Sequence, residues 1–167
     1  KSSNPEWLAS DLLGQAEHDE LAQCILISKD KNILEKTKKE VFEQLKNLPR
    51  SSIAKKSLMM NGILIYANSD KKIIEITNKI GPEHLELNVK NYKSFVAKIK
   101  NAGSVCLGKY AVMAMTDYGA PGSNHVLPTD SSSKYSSGLN VSEFMKKISY
   151  ITLSKKGIDK LGPSVIT

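Results

Sequence analysis

The chain has few of the residues that usually announce a function. Its 167 residues include two cysteines, one tryptophan and three histidines. Two thiols are too few for a disulfide framework. Cys24 and Cys106 each sit inside an apolar run, QCILIS and SVCLG, as buried thiols of a reducing compartment would, which predicts a cytoplasmic location. No apolar run reaches the roughly 18 residues of a membrane span. The opening Lys1-Ser-Ser-Asn-Pro holds no apolar core of a secretory signal. Because residue 1 is Lys and not Met, a fragment, a processed form or a trimmed chain is expected. Common signatures are also missing: there is no G-x-G-x-x-G, P-loop, C-x-x-C or G-x-S-x-G.

Charge is plentiful but spread out. Lys and Arg number 24 against 17 Asp and Glu, a net charge of +7. The lysines alternate with acids along helical stretches such as KDKNILEKTKKEVFEQLK, as on a solvated helix face. Nucleic-acid binders concentrate cations and interleave aromatics for stacking. With 6% aromatics and dispersed lysines, neither nucleic acid nor a membrane is the expected partner.

Alternating apolar strands and amphipathic helices organise the first two-thirds. Asn4-Pro5 predicts a helix running from Glu6 to about His18, with Trp7, Leu8, Leu12, Leu13 and Ala16 inward. LAQCILIS reads as a buried strand. Asp30 caps a second helix with Ile33, Leu34, Thr37, Val41, Phe42 and Leu45 at helical spacing, and Pro49 lies past its end. GILIYA is a second buried strand. Ser69 or Asp70 caps a helix that Gly81-Pro82 stops. HLELNV is extended, a helix follows near Tyr92–Lys100, and SVCLG is a further strand. This pattern predicts an α/β fold with a parallel sheet covered by helices. From Thr116 to Asn140 the composition turns to Gly, Pro, Ser and Asn, too long for a simple turn. VSEFMKKISYITLS then predicts one helix and one alternating strand, and KKGIDKLGPSVIT a last partial helix.

The histidines each have a polar neighbour. His18 follows Gln15 by three residues, so both project from one helix face and could share a divalent metal such as zinc; a solvent-facing polar pair is the commoner meaning of that spacing. Glu83-His84 follows the Gly81-Pro82 stop, at a helix-to-strand loop where open α/β sheets place ligands. Glu suits a general base and His an acid or base near neutral pH. The plainer alternative is a loop carboxylate beside a surface imidazole. His125 follows Asp117 by eight residues in the Gly/Pro-rich stretch. Asp117 could ligate a metal or orient a histidine; equally, it could end a short helix while Asn124 makes an Asx turn.

Five segments together resemble histidinol dehydrogenase: DLLGQAEHDELAQCILIS, GPEHLEL, NAGSVCLGKY, TDYGAPGSNHVLPTD and SSGLNVSEFMKK. They occur in that family's order and at close to its spacings, over nearly the whole chain. The resemblance implies oxidation of L-histidinol to L-histidine in two steps through an aldehyde, with two NAD molecules and one zinc ion. It implies zinc ligation by Gln15, His18 and Asp117, catalysis by Glu83 and His84, and substrate contact by His125 and Asp117. Ser136, Ser137 and Gly138 fall in a family motif near the substrate pocket and receive no role. NAD-binding residues are not identifiable.

The implied fold is an incomplete Rossmann-like sheet with flanking helices over 1–137, and the start of a small C-terminal module over 138–167. The family is longer, and its homodimers share active sites. The expected missing parts are an upstream half with the NAD-contacting segment, and a downstream tail giving the partner a zinc ligand and a carboxylate. One extra small residue is expected within GAPGSNH. Alone, the chain is expected to bind zinc weakly and turn over little. A noncatalytic α/β or dimerisation module and a zinc hydrolase using Glu83 are the alternatives.

Overall fold

A computed structural model describes residues 3–119 and 124–166. Helix α1 (Pro5–Ala16) begins as the sequence predicts: the Asn4 side chain accepts the Glu6 N–H at 3.0 Å, and Pro5 occupies the first turn. The helix stops short of His18. Glu17 is its C-cap, and the His18 N–H donates to Gln15 O at 3.2 Å, so His18 sits on a turn beyond α1. Leu8, Ala9, Leu13 and Ala16 are buried. Trp7, expected inward, is exposed at the margin and stacks at a tilt on Tyr110.

The strand predicted from Leu21 is only its second half, β1 (Ile25–Ser28). Asp19 accounts for the difference, since its carboxylate accepts the Leu21 N–H at 2.8 Å and its carbonyl the Ala22 N–H at 3.1 Å. Those bonds make a turn where a strand was expected. Helix α2 (Lys31–Leu45) is capped by Asp30, which accepts from Asn32 and Ile33 N–H. It buries Ile33, Leu34, Thr37, Val41 and Leu45 while Phe42 faces outward. Helix α3 (Ser51–Asn61) has no apolar stripe to betray it; only Ala54 and Ser57 are buried, and Ser57 Oγ donates to Ala22 O at 2.8 Å. Ala9, Leu13, Ala16, Cys24, Val41, Leu45 and Ala54 form the core that α1, α2 and α3 share.

β2 (Ile63–Tyr66) pairs parallel with β1, Ile25 opposite Ile63. Its side chains are largely exposed, against the buried strand that GILIYA predicts, because little of the described chain packs over its faces. Helix α4 (Asp70–Ile80) is capped by Ser69. It ends at Gly81, whose φ of +62° is a left-handed conformation that suits glycine and lets its N–H reach Thr77 O at 2.9 Å.

β3 (His84–Leu87) pairs parallel with β4 (Ser104–Leu107) through the short helix α5 (Tyr92–Val96), which ends before the predicted Lys100. Asn78 takes over there, accepting the Lys100 N–H at 2.7 Å and donating to Lys98 O at 2.9 Å. The parallel α/β arrangement is therefore present, as two separate two-stranded sheets. Helix α6 (Met113–Tyr118) follows β4. Beyond it, short 3-10 turns at Ser132–Lys134, Val141–Phe144 and Gly162–Ser164 flank helix α7 (Lys155–Leu161). The strand expected near Tyr150 does not form. That segment has no neighbouring strand, and Tyr150 and Ile151 stand in solvent. Among the described residues no helix is long and apolar enough to cross a membrane.

Candidate active site

The second strand pair carries Glu83 and His84, the two residues expected to be catalytic. Pro82 O accepts the Gly103 N–H at 2.9 Å and Glu83 O the Ser104 N–H at 2.8 Å, so the ladder begins one residue before His84. Gly103 is required here: a Cβ on it would lie 2.7 Å from Glu83 O and 3.1 Å from the Pro128 ring. The Pro128 contact brings the stretch after the loop against the same corner. Ser131 Oγ donates to Ile80 O at 2.6 Å, anchoring that stretch on the end of α4. Val126 N–H donates to Asn124 Oδ1 at 2.9 Å, an Asx turn. Asn124 also donates from Nδ2 to Leu139 O. Residues 120–123, where the extra small residue of GAPGSNH would fall, lie outside the described residues.

These contacts gather four of the six expected side chains. His84 Nε2 is 3.9 Å from Glu83 Oε1 and 3.8 Å from Asp117 Oδ2. His125 Nδ1 is 3.7 Å from the same Asp117 oxygen. The Asp117 side chain is only 8% exposed, whereas that of His125 is 64% exposed and tilts against the Tyr118 ring, centroids 5.8 Å apart. A buried carboxylate between two imidazoles from separate segments can orient both and stabilise a positive charge on either. Among the described residues, His84 Nδ1 is buried with no hydrogen-bond partner.

Among the described residues neither Gln15 nor His18 makes a side-chain hydrogen bond or ion pair with this cluster. Among the described residues the ion pairs of Asp117 are with His84 and His125 alone. No group of three or more His, Cys, Asp or Glu side chains there is placed to hold a metal ion. The exposed His18 carbonyl accepts from Arg50 Nη2 at 3.3 Å. Yet α1 does approach the site, because Asp11 lies near enough to Glu86 of β3 for each carboxyl to act on the other. Gln15 follows Asp11 by one helical turn on that face.

The family model for histidinol dehydrogenase matches residues 1–167. The chain belongs to the histidinol dehydrogenase family. The histidinol dehydrogenase of Pelagibacter ubique (strain HTCC1062) is 73% identical over all 167 residues, which cover 39% of that protein. That of Listeria monocytogenes serovar 1/2a is 44% identical over 166 residues, 99% of this chain and 39% of its own. The crystal structure of histidinol dehydrogenase from Elizabethkingia anophelis superposes with a TM-score of 0.84 at 41% identity, covering 99% of this chain and 38% of that one. The chain thus spans about two-fifths of the length of these relatives.

Within this histidinol dehydrogenase segment, sequence reasoning passed over one pair. Burial pushes the Glu86 carboxyl up to about 7; the Met113 N–H holds it down somewhat, and the Asp11 carboxylate raises it further. Burial also raises Asp11. We assign the shared proton to Glu86, because burial raises its carboxyl to about 7. The signal was present: residues two apart on a strand share a face, so Glu86 lies on the side of His84. Burial likewise raises the Cys106 thiol, opposite Glu86 in register.

Proposed function

We propose that this chain is the acid–base and zinc-binding part of an enzyme that oxidises L-histidinol to L-histidine with NAD. The observation that carries the reading is the buried Asp117 carboxylate flanked by His84 and His125, with Glu83 beside His84. The donor set Gln15, His18 and Asp117, two oxygens and one imidazole, suits zinc and leaves room for substrate nitrogen atoms. When bound, zinc supplies a Lewis acid that orients the substrate's imidazole and amine; NAD accepts the hydrides.

The chain's own residues divide the proton work. His84 Nε2, held between two carboxylates, takes the proton of the substrate hydroxyl as the alcohol is oxidised; Asp117 stabilises the imidazolium so formed. Its buried Nδ1 has hydrogen-bonding capacity to spare for a substrate group. Glu83, whose side chain is 30% exposed, has the access to water that a base needs for hydration of the aldehyde. His125, the more exposed imidazole, contacts substrate at the mouth.

We take 1–137 as the unit carrying the site and 138–167 as the start of a C-terminal module. No described residue from Lys134 to Ile166 is buried. Exposed Met145, Tyr150, Ile151 and Val165 suit an arm that packs on the second subunit of a homodimer. Free, buried Cys24 and Cys106 suit the cytoplasm.

The test is histidinol-dependent NAD reduction together with zinc content, measured on the protein expressed from its complete reading frame. The reading expects both, with two NAD reduced per histidinol. Zinc with no NAD reduction, or neither, would sink it. The isolated 167-residue chain is expected to turn over little.

A further inference from the structure

Helix α6 carries Asp117 but supplies no cap of its own. Its N-cap residue is Val112, with extended backbone and no side-chain acceptor. The first N–H groups of a helix need acceptors from elsewhere. Glu86 is one such acceptor: the Met113 N–H donates to its Oε1 at 2.9 Å. Glu86 belongs to β3, on the face of His84. The carboxyl of Asp11 on α1, one turn before Gln15, lies near enough to act on that of Glu86. Glu86 therefore ties together the two elements from which His84 and Asp117 project.

We infer that Glu86 is a positioning residue that fixes α6 against β3 and so aims the Asp117 carboxylate between His84 and His125. The inference rests on the proposed reading of Asp117 as a zinc ligand. Glu86 touches neither substrate nor metal in this role; it acts through the helix. The titratable groups near Glu86 are Asp11 on α1, the Cys106 thiol opposite it on β4 and His84 on its own face of β3.

The experiment uses the protein expressed from its complete reading frame and reads zinc affinity by competition with a chromophoric chelator. The Tm of the zinc-free protein is measured alongside. Glu86→Gln keeps an oxygen for the Met113 N–H and offers Asp11 an amide N–H, so its affinity stays within about threefold of the parent's. Glu86→Leu fills a similar volume with no acceptor, and weakens zinc binding about 10- to 100-fold, as loss of an outer-shell partner does. Adding Val112→Ser gives α6 a local cap and recovers at least half of that loss on a logarithmic scale. A general stabilising role would show no such rescue by a cap on another element.

The inference is overturned if Glu86→Leu keeps the parent's affinity, if Val112→Ser restores nothing, or if zinc-free Glu86→Leu is unfolded. A parent protein that binds no zinc removes the ligand reading and this inference together. Zinc binding that Glu86→Leu leaves intact removes the positioning role alone.

Discussion

The two strand pairs start from similar material and end in different uses. β1 and β2 read ILIS and ILIY, apolar at nearly every position. β3 reads HLEL. Period-two alternation puts His84 and Glu86 on one face and Leu85 and Leu87 on the other. Leu87 is buried, and on the polar face Glu86 meets α6 through the Met113 N–H. The crossover differs as well. Two helices, α2 and α3, link the first pair and share a core with α1, while five-residue α5 links the second. The first pair is scaffold, stabilised by helix packing. The second gives up apolar surface for the side chains proposed to do chemistry, and is held by cross-element hydrogen bonds: Gly103 to Pro82, Ser104 to Glu83, Met113 to Glu86.

Substitutions can separate these uses. The largest expected effect is at the second pair. Glu83→Gln removes a base without changing shape, and is expected to lower kcat for histidinol oxidation about 10²- to 10⁴-fold, with Tm nearly unchanged. Steady-state kinetics beside a thermal melt measures both. A kcat within threefold of the parent's would remove Glu83 from the chemistry. Next comes Leu34→Ala, beneath the first pair. Leu34 is buried on α2, and its truncation is expected to cost about 2–5 kcal/mol of stability while kcat at a permissive temperature stays put. Loss of kcat there would blur the division between scaffold and site.

A smaller effect concerns pH. Glu86 sits near 7 in the folded chain against an ordinary value of 4.5, with burial as the main cause. Below about 4.5 both folded and unfolded chains hold the proton. Between 4.5 and 7 only the folded chain keeps it, so the unfolded state binds fewer protons and stability falls as pH rises through that window. Above about 7 this contribution is flat. Glu86→Gln has no proton to lose, so its stability should fall less steeply between pH 4.5 and 7. Urea midpoints across that range compare the two; parallel curves would contradict the shared proton.

The first pair was the easier to read from sequence, because periodicity and caps are local. Asp30, Ser69 and Gly81 mark helix ends where the chain ends them, and the apolar runs supply β1, β2 and β4, with β3 read as the extended HLELNV. What escaped was either featureless or non-local. Helix α3 buries only small side chains, so no apolar stripe marks it. The LAQC half of the first apolar run is turned aside by Asp19, a contact that hydrophobicity does not register. The site was legible as residue pairs, Glu83-His84 and Asp117 with His125, and as the resemblance to a family. Its support was not: Asp11 and Glu86 are far apart in sequence, and each alone looks like an ordinary surface acid. Only the fold brings them near enough to act on one another.

The smallest effect tests whether the two regions differ in how local their helix caps are. Asp30 caps α2 from the adjoining residue, accepting the Asn32 N–H at 2.9 Å and the Ile33 N–H at 3.4 Å. Asp30→Ala should therefore cost about 1 kcal/mol, the ordinary value of an N-cap, read as a shift in the urea midpoint with no change in zinc affinity. Helix α6 takes its acceptor from another strand, so its loss should be felt at Asp117 before it is felt in stability. If Asp30→Ala weakened zinc binding as much as Glu86→Leu does, α2 would be coupled to the site through the core, and the separation between a scaffold pair and a site pair would not hold.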